Sequence, residues 1–312
     1  MPEMPVASFP PHFNPAMVFE QPDDLTHFHG HGSYDSTPVR DNRTRVDYLK
    51  QLLVSGSPSA RLDRAALDLA RIQFPELEHQ PVLDQMNEIA QNLGDRLRNF
   101  NDGRDFVEKA QSYLFGELGF RANEENFFDP LNSCLNQVLE RRTGIPITLS
   151  LLYMEVARRL SMPVFGIGLP NRFIVQFDDG RYATFIDPFG GGRAVSAAEC
   201  FAMAGAPVAD PQLLARVTNK QILMRMLQNL QRAYMQAHDY PRAVQTLDFL
   251  LDGAPGTAGW LKLRGTLQVE RKQYAAARVD LEAYLKLEPL GKDRDTVQKQ
   301  LDSIRRWTAQ NN

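Results

Sequence analysis

Cysteine and histidine are the residues of this chain from which a nucleophile and its base could be assembled. Cys134 and Cys200 each fall within a predicted helix, and no histidine occurs between His79 and His238. A thiol or hydroxyl nucleophile needs a nearby base, most often an imidazole, to accept its proton. The stretch 132–192 has no imidazole of its own, so its sequence favours a binding function over hydrolysis.

Metal binding is the other chemistry that histidine suggests. His27, His29 and His31 alternate, and in an extended chain they could bind Zn²⁺ or Ni²⁺ together with Asp35. A histidine-rich tail with only adventitious metal affinity is the simpler interpretation, so the sequence predicts no metal site and no cofactor. Two cysteines are also too few for a disulfide framework or a four-ligand zinc site, and we expect reduced cytosolic thiols.

The composition is that of a globular protein. The chain has 312 residues, of which 43% are hydrophobic, so it can bury a sizeable core. Lysine plus arginine number 35 and aspartate plus glutamate 38, so no global charge attracts nucleic acid or an anionic membrane. No run reaches the roughly 18 apolar residues of a membrane span, and no basic segment followed by an apolar run begins the chain. The sequence therefore predicts a cytoplasmic protein.

The patterns along the chain predict an α+β fold in three parts. Residues 1–42 hold seven of the 20 prolines and predict a flexible Pro/His-rich segment. Residues 43–217 predict a helical N-terminal layer and then a core with a small antiparallel sheet. Helices are expected at about 81–100, 105–118, 131–142 and 147–160, and strands at about 164–168, 172–177 and 182–186.

Residues 218–312 contain a repeat of 34 residues, the period of a tetratricopeptide (TPR) helical hairpin. It relates Tyr240 to Tyr274, Ala243 to Ala277, Leu247 to Leu281 and Pro255 to Pro289. The small alanines let the two helices of each hairpin approach, and the prolines end the second helix. The sequence predicts two TPR hairpins followed by a capping helix at 293–307.

Three segments resemble the SirB-type family, bacterial proteins with a transglutaminase-like domain followed by TPR repeats. They are Leu114–Arg121 (LFGELGFR), Asn132–Thr148 (NSCLNQVLERRTGIPIT) and Phe185–Gly191 (FIDPFGG). The resemblance covers about residues 45–290. It implies a papain-like transglutaminase core, with a nucleophile at the start of a central helix, a histidine on one strand and an aspartate on the next.

The positions that this resemblance implies for a catalytic triad do not carry a complete triad. The cysteine position falls at or next to Pro146, the histidine position at Arg172 and the aspartate position at Asp187. Proline has no nucleophilic group, and a guanidinium cannot act as a base near neutral pH. The resemblance itself implies a fold and little about activity. The residues at these positions predict a pseudoenzyme, in which Arg172 and Asp187 form an ion pair across adjacent strands.

Two sets of polar residues are candidates for binding a protein partner. Arg141 and Arg142 precede the central helix, and both a structural and a ligand-binding role stay open for them. The second set forms a stripe on the predicted inner helices of the repeats: Arg225, Asn229, Arg232 and Lys262. In the concave groove of a TPR array this stripe could bind an acidic peptide segment, although a solvated polar face is equally compatible with it.

Together these features predict a non-catalytic cytosolic adaptor that binds a protein partner through its repeats and its transglutaminase-like domain. One alternative is a cysteine-dependent protease or transglutaminase in which Cys134 pairs with a histidine from outside the core, such as His79. The other alternative is a structural subunit that the N-terminal segment and the repeats embed in a larger assembly.

Overall fold

The computed structural model describes residues 47–56, 61–98, 102–206 and 209–311. The predicted N-terminal segment 1–42 lies outside these residues, as do His27, His29, His31 and Asp35. Within them the chain is mainly helical and contains a small antiparallel sheet, which confirms the predicted α+β class. None of the described helices is long and apolar enough to cross a membrane.

Four helices form the N-terminal layer: α1 (Tyr48–Ser55), α2 (Leu62–Ala70), α3 (His79–Arg96) and α4 (Gly103–Gln111). Asp47 begins α1 by accepting a hydrogen bond from the Lys50 N–H at 2.8 Å, and Asp102 does the same for α4. Gly56, with a φ of 61°, ends α1 in the left-handed conformation that glycine adopts at no steric cost.

The predicted helix at 105–118 is in fact divided. α4 ends at Gln111, and the chain continues as a π-helical turn, Ser112–Glu117. The turn closes with a hydrogen bond of 2.9 Å from the Leu118 N–H to the Tyr113 carbonyl, five residues earlier. Single π-helical turns are rare in proteins, and those that occur are often found at functional sites.

The predicted helix at 131–142 is also interrupted. Pro130–Ser133 forms a 3-10 turn, Cys134 is extended, and helix α5 (Leu135–Arg141) follows. Two short strands that the sequence analysis did not predict, β1 (Arg121–Ala122) and β2 (Thr143–Gly144), pair in parallel on either side of α5. The central helix α6 (Pro146–Arg159) follows β2 directly.

The sheet contains four antiparallel strands in sequence order: β3 (Val164–Ile167), β4 (Ile174–Asp178), β5 (Ala183–Asp187) and β6 (Arg193–Val195). Side chains alternate between its faces, as expected for a strand. Val175 and Phe177 join the main core beneath α6. Ile174 joins a smaller cluster that also contains Cys200 of α7 (Ala197–Met203).

The C-terminal helices follow the 34-residue register. They are α8 (Asn219–Gln236), α9 (Tyr240–Gly253), α10 (Ala258–Glu270), α11 (Tyr274–Leu287) and α12 (Arg294–Asn311). Ala243 and Ala277 are fully buried between the helices of their hairpins. The predicted pair of hairpins and the terminal helix are therefore present.

The first hairpin shares its core with the N-terminal layer. A single cluster of buried side chains runs from Leu49 of α1 to Leu267 of α10. At Gly253, the end of α9, an added Cβ would lie 2.4 Å from the sulfur of Met224 in α8 and 3.2 Å from Leu53 in α1, so α9 packs closely on α8 and is in tight contact with α1. Residues 218–253 are consequently packed as part of the body that carries the sheet.

Candidate functional site

We call Pro146, Arg172 and Asp187 the central site. Pro146 lies in the first turn of α6. Pro146 is buried at the first helical position, where its fixed φ and missing N–H do not disturb the helix. The preceding residue Ile145 is extended, and its N–H donates to Thr148 Oγ1 at 3.1 Å. The position that the resemblance assigned to a nucleophile is thus a helix start without a reactive side chain.

Ser150 connects α6 to the chain segment before β4, which carries Arg172. It lies one turn beyond Pro146, is fully buried, and donates a hydrogen bond of 3.2 Å to the Phe173 carbonyl. This bond holds the first turns of α6 beside the start of β4. The Ser150 hydroxyl is therefore used in packing the helix on the sheet.

Arg172 and Asp187 form the predicted ion pair. Nη2 of Arg172 lies 2.5 Å from Oδ2 of Asp187, with Asp187 1% exposed and Arg172 24% exposed. The Arg172 guanidinium also lies over the Phe189 ring, 4.6 Å from its centroid. The pair is confirmed, but Arg172 lies in the turn before β4 and not within the strand, which begins at Ile174.

The ion pair uses one atom of each partner. Nε of Arg172 and Oδ1 of Asp187 are buried and have no hydrogen-bond partner among the described residues. Close approach to the carboxylate from the neighbouring loop depends on Gly190, because a Cβ there would lie 2.6 Å from Oδ2. The pair can bind and orient a polar group, but its guanidinium cannot accept a proton near neutral pH.

Both cysteines are buried thiols. Cys134 is fully buried, its Sγ lies 3.6 Å from the Pro130 carbonyl, and burial raises the pKa of its thiol to about 12. Burial likewise raises the pKa of Cys200 to about 11. His79, the histidine considered as a partner of Cys134, lies with Nε2 3.1 Å from Oδ1 of Asp68. The thiolate is the form of cysteine that attacks a substrate, and neither thiol is ionised near neutral pH.

The three segments that carry the family resemblance meet around the central site. Phe115, in the π-helical turn, occupies the space beside Gly192, where a Cβ would lie 2.2 Å from its ring. Asn132 donates from Nδ2 to the Phe127 carbonyl at 3.2 Å. Phe127 in turn packs edge-on against Phe189, with ring centroids 6.4 Å apart. These motifs therefore build one local structure.

Arg141 and Arg142 are used within the fold. Nη1 of Arg141 lies 2.8 Å from Oδ2 of Asp129. Arg142 ends α5 with a φ of 53°, and its Nη1 donates to the Leu118 carbonyl at 2.8 Å. Of the two roles left open by the sequence, the structural one accounts for the contacts of both guanidinium groups.

Arg225 contradicts its predicted place on the solvent face of the first repeat. Its Nη1 and Nη2 donate to the carbonyls of Leu169 and Arg172 at 2.7 and 2.9 Å, and its Cζ lies 5.6 Å from the Phe173 ring centroid. Burial, together with the smaller effect of the nearby Arg232 charge, lowers the pKa of Arg225 to about 10. The predicted solvent exposure was wrong because the loop between β3 and β4 contacts the Arg225 guanidinium.

Lys262 is also engaged within the repeats. Its Nζ forms an ion pair with Asp293, at the start of the terminal helix, and lies 6.0 Å from the Tyr284 ring centroid. The predicted stripe is therefore reduced at both ends. Arg225 is bound to the core, and the charge of Lys262 is balanced by a carboxylate.

The centre of the stripe stays open. Arg232 is exposed and makes no hydrogen bond or ion pair with any described residue, while partial burial lowers its pKa. Asn229 is half-buried on the same face. Gln228, three residues beyond Arg225, is 7% exposed and its Nε2 has no partner in the described part of the chain. We call Gln228, Asn229 and Arg232 the α8 face.

Residues that the sequence analysis did not single out are also prominent near the central site. Phe127 and Phe128 are 37% and 47% exposed, within the loop 123–129. The adjacent pair of aromatics in an otherwise polar stretch, Asn123–Asp129 (NEENFFD), was the available signal. Nothing in the pattern indicated that Asn132, fully buried, fixes this loop.

Comparisons with known proteins agree with this architecture. A sequence model of the Transglutaminase-like superfamily matches residues 80–228, and a tetratricopeptide repeat model matches residues 230–302. The first match extends into α8, in keeping with the shared core. No solved structure matches the chain.

The chain is similar to proteins of several bacteria and of mammals. It is 33% identical over 246 residues to a UPF0162 protein of Xylella fastidiosa, covering 76% of this chain and 87% of that protein. It is 28% identical over 232 residues to a UPF0162 protein of Pseudomonas aeruginosa, covering 72% and 84%. A shorter match, 35% identical over 133 residues, covers 40% of this chain and 21% of human F-box only protein 21. The predicted domain combination is confirmed, and the chain belongs to the UPF0162 family, with a transglutaminase-like domain followed by TPR repeats.

Proposed function

We propose that this protein is a non-catalytic adaptor of the cytoplasm, which binds a protein partner through its repeats and its transglutaminase-like domain. The observation that carries the proposal is the ion pair between Arg172 and Asp187 at the central site. It occupies the carboxylate that would orient a catalytic base, and it does so with a group that is itself no base.

The chemistry of the neighbouring residues supports the same conclusion. Pro146 offers no nucleophile at the start of α6, and Ser150 is bound to the Phe173 carbonyl. Cys134 keeps its proton, because burial raises its pKa to about 12. Covalent acyl transfer needs an ionised or base-activated nucleophile, and these residues provide neither.

The α8 face is the part of the repeat module on which we place partner binding. Arg232 is an exposed cation without an acidic neighbour in the described chain, and the half-buried Asn229 adds an amide donor beside it, whereas the amide of Gln228 is buried. A carboxylate brought by a partner would form an ion pair and charge-assisted hydrogen bonds with the exposed Arg232. The expected ligand is therefore an acidic peptide segment.

An activity assay tests the non-catalytic part of the proposal. The full chain is incubated with a panel of peptides and amine donors, beside the variants Cys134→Ala and Asp187→Asn. We expect background rates that are the same for all three proteins. A rate above background that either substitution abolishes, in a variant that keeps its circular dichroism spectrum, would contradict the proposal.

A binding assay tests the α8 face. The probe is a fluorescent peptide of twelve residues rich in Asp and Glu, and its Asn/Gln counterpart is the matched control. We expect the acidic peptide alone to bind, and to bind more weakly as the Debye length falls from about 10 Å at 0.1 M salt to about 3 Å at 1 M.

Two variants decide where the acidic peptide binds. Arg232→Glu should abolish binding, whereas Arg278→Glu should leave it unchanged, because Arg278 is an exposed arginine of the outer helix α11. Equal binding by wild type and Arg232→Glu would exclude the α8 face as the site.

A further inference from the structure

A row of aromatic side chains is exposed beside the central site. Phe127 and Phe128 are 37% and 47% exposed, and their rings meet edge-on with centroids 5.4 Å apart. Phe127 also meets the Phe189 ring edge-on, and Phe189 carries the Arg172 guanidinium on its face. Exposed aromatics next to an arginine have the composition found at the centres of protein interfaces.

The loop that presents these rings is fixed from within. The buried Asn132 donates from Nδ2 to the Asn126 carbonyl at 2.7 Å as well as to the Phe127 carbonyl. Its Oδ1 accepts a hydrogen bond of 2.9 Å from Asn123 Nδ2. The Asn132 carbonyl accepts a further bond from Thr148 Oγ1 at 2.8 Å, which ties the network to α6.

A loop held in this way loses little conformational freedom when a partner binds. The aromatic side chains have two rotatable bonds each and add large contact area at a low entropic cost. An exposed, rigid aromatic pair is therefore suited to recognition. For a purely structural role, the rings would be expected to point into the core.

The charges around the rings select the chemistry of a partner. Glu124 and Glu125 are exposed and form no ion pair with any described residue. Asp129 is balanced by Arg141, and Asp187 by Arg172. Arg121, exposed on β1, is the nearest cation along the chain outside these pairs. The uncompensated charge of the loop itself is negative.

From these observations we infer a second docking surface, the rim patch, formed by Glu124, Glu125, Phe127, Phe128 and Phe189. Its ligand is a segment of a protein partner that combines apolar anchors with flanking Lys or Arg residues. The apolar anchors cover the phenylalanine rings, and the cations pair with Glu124 and Glu125. The inference deepens the proposed function and rests on it, since docking is taken to be what the chain does.

The rim patch and the α8 face are separate predictions, because they require ligands of opposite charge. The rim patch connects to helix α8 through Arg172, whose guanidinium contacts the Phe189 ring and whose carbonyl accepts a hydrogen bond from Arg225, two turns before Arg232. A chain with both surfaces can hold two partners, or two segments of one partner, close together.

Selection from a random library of twelve-residue peptides, displayed on phage, tests the rim patch without assuming a partner. The full chain is the target, and peptides that also bind Phe127→Ser/Phe128→Ser are removed. We expect the remaining peptides to be enriched in Lys or Arg beside Leu, Ile, Phe or Trp. Enrichment of acidic peptides, or no peptide that depends on the two phenylalanines, would overturn the inference.

The affinity of one selected peptide is then measured by fluorescence anisotropy. Removing both rings should weaken binding at least about tenfold. Glu124→Gln/Glu125→Gln should weaken it less, about threefold to tenfold at low salt and little at 0.5 M salt. The matched control Val279→Ser/Leu287→Ser removes two exposed apolar side chains of α11 and should bind as wild type does.

The possible failures are distinguishable. The rim-patch variants and the α11 control change exposed residues, so their urea midpoints are expected to match wild type. If a midpoint shifts, the single variant Phe128→Ser replaces the double variant in the test. Peptide binding that survives loss of both rings overturns the rim patch but leaves the adaptor function intact. Peptide turnover that is lost in Asp187→Asn overturns the adaptor function itself.

Discussion

Arg172 and Arg225 meet at the loop between β3 and β4, and their guanidinium groups have different partners. Arg172 binds a carboxylate, so the central site is locally neutral. Arg225 binds only backbone carbonyls, those of Leu169 and Arg172 itself, and its lowered pKa reflects a charge that is buried without a counter-ion. The first arginine fills a site within one domain, whereas the second fastens the repeat module to that domain.

Removing Arg225 should have the largest effect on stability. Arg225→Ala removes the side-chain donor of the Arg172 carbonyl and leaves the Leu169 carbonyl only the long bond of 3.4 Å from the Arg172 N–H, and each unsatisfied buried group costs about 1–3 kcal/mol. We expect the free energy of unfolding in urea to fall by about 3 kcal/mol. A change in the free energy of unfolding within about 0.5 kcal/mol would mean that water replaces the guanidinium and that Arg225 does not stabilise the contact between the repeats and the core.

A second substitution at this position sharpens the comparison. Arg225→Met keeps much of the side-chain volume and removes the buried charge. If it is as stable as wild type, the cost of burying the uncompensated charge cancels the two hydrogen bonds. A loss similar to that of Arg225→Ala would show that the hydrogen bonds dominate.

Breaking the Arg172–Asp187 pair should have a smaller effect. Asp187→Ala leaves a guanidinium that is 24% exposed and keeps its contact with the Phe189 ring, so water compensates part of the lost charge. We expect a loss of about 2 kcal/mol in urea unfolding, below the 3–5 kcal/mol typical of a fully buried pair. Asp187→Asn, which retains a hydrogen-bond acceptor, should lose less than Asp187→Ala. The reverse order would contradict the ion-pair description.

The Cys134 thiol predicts a stability change at alkaline pH. Its folded pKa of about 12 exceeds the ordinary value of 9.0, so above pH 9 the unfolded chain releases this proton more readily than the folded chain does. The stabilising contribution is complete below pH 9 and is lost as pH rises towards 12. At pH 10 the loss amounts to about 1 kcal/mol.

Urea unfolding at pH 8 and pH 10 measures this contribution. The loss of stability between the two pH values should be about 1 kcal/mol greater for wild type than for Cys134→Ala. Equal losses would place the thiol in contact with solvent. A thiol reagent at pH 8 provides an independent check, since neither cysteine should react before the protein unfolds.

Arg232→Ala should have the smallest effect on the fold, within about 0.5 kcal/mol of wild type, because the side chain is exposed and makes no contact with a described carboxylate. It is the matched control for Arg225→Ala, from which it is separated by two turns of α8. If both substitutions destabilise equally, the contrast between a buried and an open arginine on this helix is not valid.

Features that depend on spacing along the chain were predictable from the sequence. The 34-residue register located the helices of the repeats, and the largely apolar run 173–177 before the turn signal Asp178–Gly180 located β4. The resemblance to the SirB-type family, not spacing, implied the positions from which the pairing of Arg172 with Asp187 was expected. In each case the signal is a period or a motif that can be followed along the chain.

Features that depend on what covers a surface were not predictable. Helical periodicity places Arg225 and Arg232 on one side of α8, but it does not say that the loop between β3 and β4 contacts the first and leaves the second open. The same limit applies to Cys134, where an extended residue divides a predicted helix. The loop network of Asn132 depends on carbonyls whose direction only the folded backbone determines.

The contact between α1 and α9 has a consequence for synthesis of the chain on the ribosome. Leu53 packs beside Gly253, roughly 200 residues later, and Leu49 and Leu52 are buried in the same cluster. At a synthesis rate of about 5–20 residues per second, the leucines of α1 wait about 10–40 s for the helix that covers them. During that interval the nascent chain exposes an apolar helix face that a holding chaperone would recognise, and folding of this body can be completed only after its first repeat has emerged.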